Sequence, residues 1–187
     1  MVSMMVAGLA MQVSFADDGA KTSEQAQPEK GIATPSKTED EGRMIVERLG
    51  YSIVTNGFSV GFEGGNLMMT LRVPQAGEIP PMIMVIALPT SFPEDISMED
   101  CVPTIKTSVL QNMGKGHRFL NEEVGANSAE LEFTALFGNE KVHFHSKVIR
   151  KEQKMFVAMA FTPEIQWKTV SKRLIAAVNS FSIITKE

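Results

Sequence analysis

The chain has 187 residues, of which 43% are hydrophobic and 21% charged, with a formal charge of −4. That composition supports one domain of ordinary size with a real core plus tails. The acidic balance argues against nucleic acid as a partner, and no apolar run reaches the roughly 20 residues that cross a bilayer.

Met1 to Ala16 carries no charged side chain, and Ser14-Phe15-Ala16 has the small-x-small form of a signal-peptidase site before Asp17. Residues 1–16 therefore read as a signal peptide, which places the mature protein in the periplasm or outside the cell. Residues 17–43 read as a disordered linker of Ala, Gly, Pro, Gln, Lys and acids, with the start of a short helix at its end. Thr38-Glu39-Asp40-Glu41 has the form of a capping box. The expected helix runs through Met44, Ile45 and Leu49 and stops at Gly50. The remainder, 44–187, reads as a single α/β domain.

Tyr51 to Val54 and Phe58 to Phe62, joined by Asn56-Gly57, are expected to form a hairpin. Gly64-Gly65-Asn66 marks another turn, followed by strands over Leu67 to Val73 and Met82 to Leu88. Ser97-Met98-Glu99-Asp100 opens a helix that ends near Met113. Pro103 lies awkwardly inside it, so the helix is either kinked there or begins near Val102. Gly114-Lys115-Gly116-His117-Arg118 looks like a phosphate cradle but follows a helix instead of preceding one, so it reads as a cap and turn. Phe119 to Val124 is the next strand. Thirteen Met is high for this length and points to core filling more than to an adaptable binding surface.

The clearest pattern runs from Ser128 to Phe181. Leu131 and Phe133 alternate with Glu130 and Glu132, Gly138-Asn139 suits a type II′ turn, and Val142, Phe144 and Val148 alternate with Lys141, His143, His145 and Lys147. A two-residue turn pairs Phe137 with Glu140, which puts Glu132 opposite His145, Glu130 opposite Lys147 and Thr134 opposite His143. A second turn at Glu152-Gln153 leads to Met155 to Phe161, apolar on both faces, as an inner strand is. Thr162-Pro163-Glu164 is expected to start a helix with Thr162 as N-cap and Glu164 paired to Lys168. Trp167, Val170, Leu174, Val178 and Phe181 form its apolar stripe, with Trp167 a packing anchor. The fold class is α+β: an antiparallel sheet of about six strands flanked by helices in an α/β/α sandwich, with the long C-terminal helix packed on the sheet.

From Tyr51 to Ile184, and most clearly in Lys154-Met-Phe-Val-Ala-Met-Ala-Phe-Thr-Pro-Glu-Ile-Gln-Trp through Ala177-Val-Asn-Ser-Phe-Ser-Ile, the chain resembles the PsbP-like fold. That fold is also seen in bacterial envelope proteins of the DcrB type and in a Ran-binding nuclear import factor. The resemblance implies a mostly non-catalytic function: accessory subunits, partner-binding proteins and, in one branch, chaperones for hydrophobic segments of secreted proteins.

His143 and His145 share one face of a strand with Glu132 across from them, an imidazole–carboxylate set that suits Zn²⁺ or Cu²⁺. The other reading of the same residues is a polar face of cross-strand pairs. His117, the third His, has nothing in the sequence to bring it near. The lone Cys101 lies beside Glu99 and Asp100, which disfavour a thiolate, and no Gly-x-Ser-x-Gly elbow occurs. The expected function is a non-catalytic, cofactor-free binding or accessory protein that meets a protein or peptide through the sheet face or a sheet–helix groove. Metal binding at His143, His145 and Glu132, and a chaperone activity toward hydrophobic segments, are the alternatives.

Overall fold

The computed structural model describes residues 36–37, 42–47, 49–63, 66–73, 79–88, 92–93, 95–112 and 115–184. The signal peptide expected at 1–16, most of the expected linker and the Thr38–Glu41 capping box lie outside the described residues. In chain order the elements are β1 (Ser36–Lys37), β2 (Arg43–Val46), β3 (Tyr51–Val54), β4 (Phe58–Glu63), β5 (Asn66–Leu71), β6 (Met82–Ala87), α1 (Met98–Asn112), β7 (Lys115–Val124), β8 (Ser128–Phe137), β9 (Glu140–Lys151), β10 (Lys154–Pro163), α2 (Glu164–Asn179) and β11 (Ser182–Ile183).

Two antiparallel sheets hold these strands. The larger has seven, in the order β4-β5-β6-β10-β9-β8-β7, and the smaller four, β1-β2-β3-β11. The class is α+β as expected, but the single sheet of about six strands is not what forms. The difference arises at Asn56-Gly57. Gly57 turns the chain with φ 76 and the Phe58 amide donates to the Thr55 carbonyl, yet β3 and β4 do not pair. β3 joins β2 and β11, while β4 joins β5, so the turn is a corner between sheets, not a hairpin.

The helix expected through Met44 and Leu49 is likewise replaced, because Arg43–Val46 is a strand paired to β3. Met44 and Val46 are a period-two pair of buried residues, and β-branched Ile45 and Val46 suit a strand. Burial against Tyr51 and Ile53 outweighs the local helix signal. Ser36–Lys37, within the expected linker, pairs with β2.

The β8–β9–β10 register matches the alternation read from the sequence: Phe137 faces Glu140, Glu132 faces His145 and Thr134 faces His143. Gly138 alone of the turn pair has positive φ, at 58, as a type II′ turn needs. β10 lies between β6 and β9, and Met155 to Ala160 are buried on both faces. On one face Phe156, Ala158 and Ala160 join Leu67, Met69, Ile83, Val85, the small sheet and Val170, Leu174, Ala177, Val178 and Phe181 of α2 in a single core. Burying a side chain the size of Leu174 contributes about 1.5–3 kcal/mol. The opposite face packs Phe133 on Phe144 (4.7 Å between centroids, 2° apart) under Met98, Cys101, Val102 and Ile105 of α1. The layers are thus α1, the large sheet, then α2 with the small sheet. Met44, Met69, Met84, Met98, Met155 and Met159 are buried, which is the core-filling use of methionine.

α1 begins at Met98 in spite of Pro103. Ser97 sets the start: its hydroxyl accepts from the Asp100 amide (3.1 Å) and donates to the Asp100 carboxylate (2.6 Å). The stretch read as a cap and turn contributes instead to β7, where Gly116 (φ 74) sits within a bulge.

Candidate functional site

The register of β9 and β10 decides where α2 begins. Thr162 and Pro163 still pair with His143 and Val142, so the chain stays extended (Pro163 ψ 137) and the helix starts only at Glu164. Thr162 was expected to be the N-cap, but the ladder holds it fully buried, and Pro163 occupies the cap position without a side-chain cap bond. Glu164 therefore arrives directly over His143.

There it meets an arrangement that the strand alternation only half reveals. His143, 4% exposed, has both ring nitrogens engaged: Nε2 with Glu132 Oε1 at 2.7 Å and Nδ1 with Glu164 Oε2 at 2.8 Å. The Trp167 ring stacks on the imidazole at 3.8 Å and 13°. Ionised carboxylates only accept, so two protons must be shared among the three groups, either both on the ring or one on a carboxyl. The cluster joins β8, β9 and the first turns of α2. Glu164 also lies 3.7 Å from Lys141 and not on Lys168 as expected, because His143 and Lys141 stand beneath the helix start.

Each carboxylate on β8 leans one step along the ladder from its backbone partner. Glu132 faces His145 but bonds His143, and Glu130 faces Lys147 but approaches His145, with Oε2 3.8 Å from Nε2. Lys147 is drawn away by the other end of α2, donating to the carbonyls of Asn179 (3.0 Å) and Phe181 (3.4 Å). The helix is thus tied to the sheet at both ends, acid to imidazole at its N-terminus and cation to carbonyl at its C-terminus.

His143, His145 and Glu132 are brought together as the sequence suggested. A metal taken by His143 would have to replace one of its two carboxylate bonds. His145 Nε2, buried and without a hydrogen bond, has only the more distant Glu130 carboxylate, and Thr162 Oγ1 and Gln166 Oε1 are likewise buried without a hydrogen bond. Among the described residues no group of three or more His, Cys, Asp or Glu is disposed to hold a metal ion. His117 is exposed on β7. Cys101 is buried on α1, where burial pushes its thiol up, Arg150 opposes and Asp100 adds a smaller rise. It is not a poised nucleophile.

The exposed apolar side chains lie elsewhere. Leu120 and Val124 on β7 and Leu136 on β8 are 46%, 39% and 42% exposed, and Ile165 on α2 is 87% exposed. Phe62, on the other outer strand, stands at the lip of a groove of about 620 Å³ where β2 and β4 part. Sequence reading took Phe119 to Val124 as an ordinary strand. What it missed is that β7 is an edge among the described residues, and the paired acids Glu122 and Glu123 in it were the available signal.

No family model and no curated protein matches the chain. Solved structures do. The cyanobacterial PsbP (CyanoP) of Synechocystis aligns with a TM-score of 0.56 at 18% identity, over 85% of this chain and 98% of that one. LpqN of Mycobacterium tuberculosis, described as involved in cell envelope biogenesis, aligns at 0.51 and 14% identity, over 81% of this chain and 90% of that one. Among the described residues no helix is long and apolar enough to cross a membrane. At such identities the likeness speaks to architecture, and the chain has the PsbP-like fold.

Proposed function

We propose that this chain is a non-catalytic accessory or binding protein, exported from the cytoplasm, that recognises a protein or peptide partner along the open edge of its large sheet. One observation carries the reading: β7 is ten residues long, is paired only to β8 among the described residues, and presents Leu120 and Val124 to solvent with Leu136 on its neighbour. A free edge recruits an extended segment through main-chain hydrogen bonds, and the exposed apolar side chains supply the contact area. The PsbP-like architecture and the description of LpqN are in keeping with an accessory role at the cell envelope. Ser14-Phe15-Ala16 is in keeping with export.

The carboxylate–imidazole cluster has a supporting role in this reading. It fixes α2 on the strands behind the edge. Affinity capture from the native host tests the proposal, with the parent chain and a Leu120→Asp/Val124→Asp variant as baits. The parent retains one stoichiometric protein that the variant loses; equal retention by both contradicts the edge as the recognition surface. Mass spectrometry of the natively expressed chain tests export: a mature N-terminus at Asp17 supports it, and an intact Met1 contradicts it.

A further inference from the structure

We infer that the partner on this edge is a second copy of the chain, docked β7 against β7 in antiparallel fashion about a two-fold axis. The inference rests on the edge reading above and names its occupant.

The order of charges along β7 favours its own copy as the occupant. Along β7 the cation Arg118 comes before the second irregularity, and the acids Glu122, which Lys106 of α1 already engages, and Glu123 come after it. A strand laid antiparallel on its own copy sets the basic half of each against the acidic half of the other. Arg118 is opposite Thr134 on β8 and Glu123 is opposite Glu130; Thr134, Glu130, His143 and Lys147 all belong to the α2 face of the sheet. The shift in register between Phe119 and Asn121 is what places Arg118 and Glu123 on one face although they are five positions apart. With the axis between Leu120 and Asn121, Arg118 of each copy comes opposite Glu123 of the other.

Two features of the single chain are accounted for by that pairing. Glu123 faces Glu130 directly across the ladder, a like-charge pair that costs stability in isolation. Arg118 is exposed and has no hydrogen bond or ion pair among the described residues, so the cation that would relieve the pair is at hand but on the wrong part of the strand. The second copy delivers it. Leu120, 46% exposed, sits beside the axis, opposite Asn121 of the other copy. Bulges and charges on an edge guard against indiscriminate pairing, and this order of charges leaves one self-complementary solution open.

Sedimentation equilibrium of the full chain, over a wide concentration range and at low and high salt, tests this. The parent forms a dimer that weakens as salt rises. Arg118→Glu and Glu123→Arg each weaken it by about tenfold or more, and the double reversal restores it to within about threefold of the parent. Circular dichroism confirms that each variant is folded. A parent that stays monomeric, or a dimer indifferent to both reversals, overturns the inference. A monomeric parent whose captured protein is still lost on Leu120→Asp/Val124→Asp would leave the edge reading standing with another occupant. A monomer whose capture ignores that variant would end both.

Discussion

β10 and β7 are both ten-residue antiparallel strands, and they have opposite roles. β10 has a neighbour on each side, a helix over one face, and six consecutive buried residues from Met155 to Ala160. Among the described residues β7 has one neighbour, two irregularities in its register, and exposed positions at Gly116 to Arg118 and from Leu120 onward. Strand length therefore says little about contribution. What a strand adds is set by how many of its two edges and two faces are covered, so β10 supplies stability and β7 supplies surface.

The comparison is broken most severely at the centre. Phe144 stacks on Phe133 and packs beside Phe137 and Phe161, so Phe144→Ala should destabilise the fold by about 3–5 kcal/mol. At this chain length that lowers the melting temperature by roughly 2–4 °C per kcal/mol, which thermal denaturation reads directly. A loss below about 1 kcal/mol would mean that the packing under α1 is looser than described.

His143→Ala comes next. It strands two carboxylates and removes the ring beneath Trp167, for an expected loss of about 1–3 kcal/mol, held down by the partial exposure of Glu132 and Glu164. Tryptophan fluorescence should report it as well, since Trp167 is the only Trp in the chain. Adding Zn²⁺ is expected to leave the parent's melting temperature unchanged. A Zn²⁺-dependent rise that disappears in both His143→Ala and His145→Ala would instead establish the metal reading.

A smaller effect of opposite sign is expected at the tip of the β9–β10 hairpin. Glu152 is the one non-glycine residue with positive φ, at 55, among the described residues. Glu152→Gly should raise stability by about 0.5 kcal/mol, as relief of the left-handed strain outweighs the added freedom of the unfolded chain. A lower melting temperature would show that Glu152 is held there by more than the turn.

How far the sequence was legible follows the same division. In the run from Ser128 to Phe181 the strand register and the helical stripe could be read because alternation, turn chemistry and periodicity agree there, while the junction at Thr162 could not. The corner at Asn56-Gly57 was not legible as a corner: the dipeptide specifies a turn, and only the packing of β2 and β3 over α2 decides that the strands part into two sheets. Arg43–Val46 failed for a related reason, since its apolar residues fit a helix or a strand and the pairing with β3 made the choice. Of the polar cluster, Glu132 and His143 were visible as neighbours on one face. Glu164 was not, because its arrival depends on β10 running two residues past its expected end at Phe161, through the expected cap at Thr162.

The smallest effect on stability should fall on the edge. Leu120→Ala is expected to change stability by less than about 0.5 kcal/mol while weakening association, which would separate surface from support in one substitution.

Hydrogen exchange at the β7 amides, followed from low to high protein concentration, tests the central claim most directly. β10 should exchange slowly throughout, near the limit set by global unfolding. The outward amides of β7 should exchange fast in dilute solution and become protected as concentration rises or as a captured partner is added. If β7 stays equally fast under every one of these conditions, the open edge is not where this protein meets another.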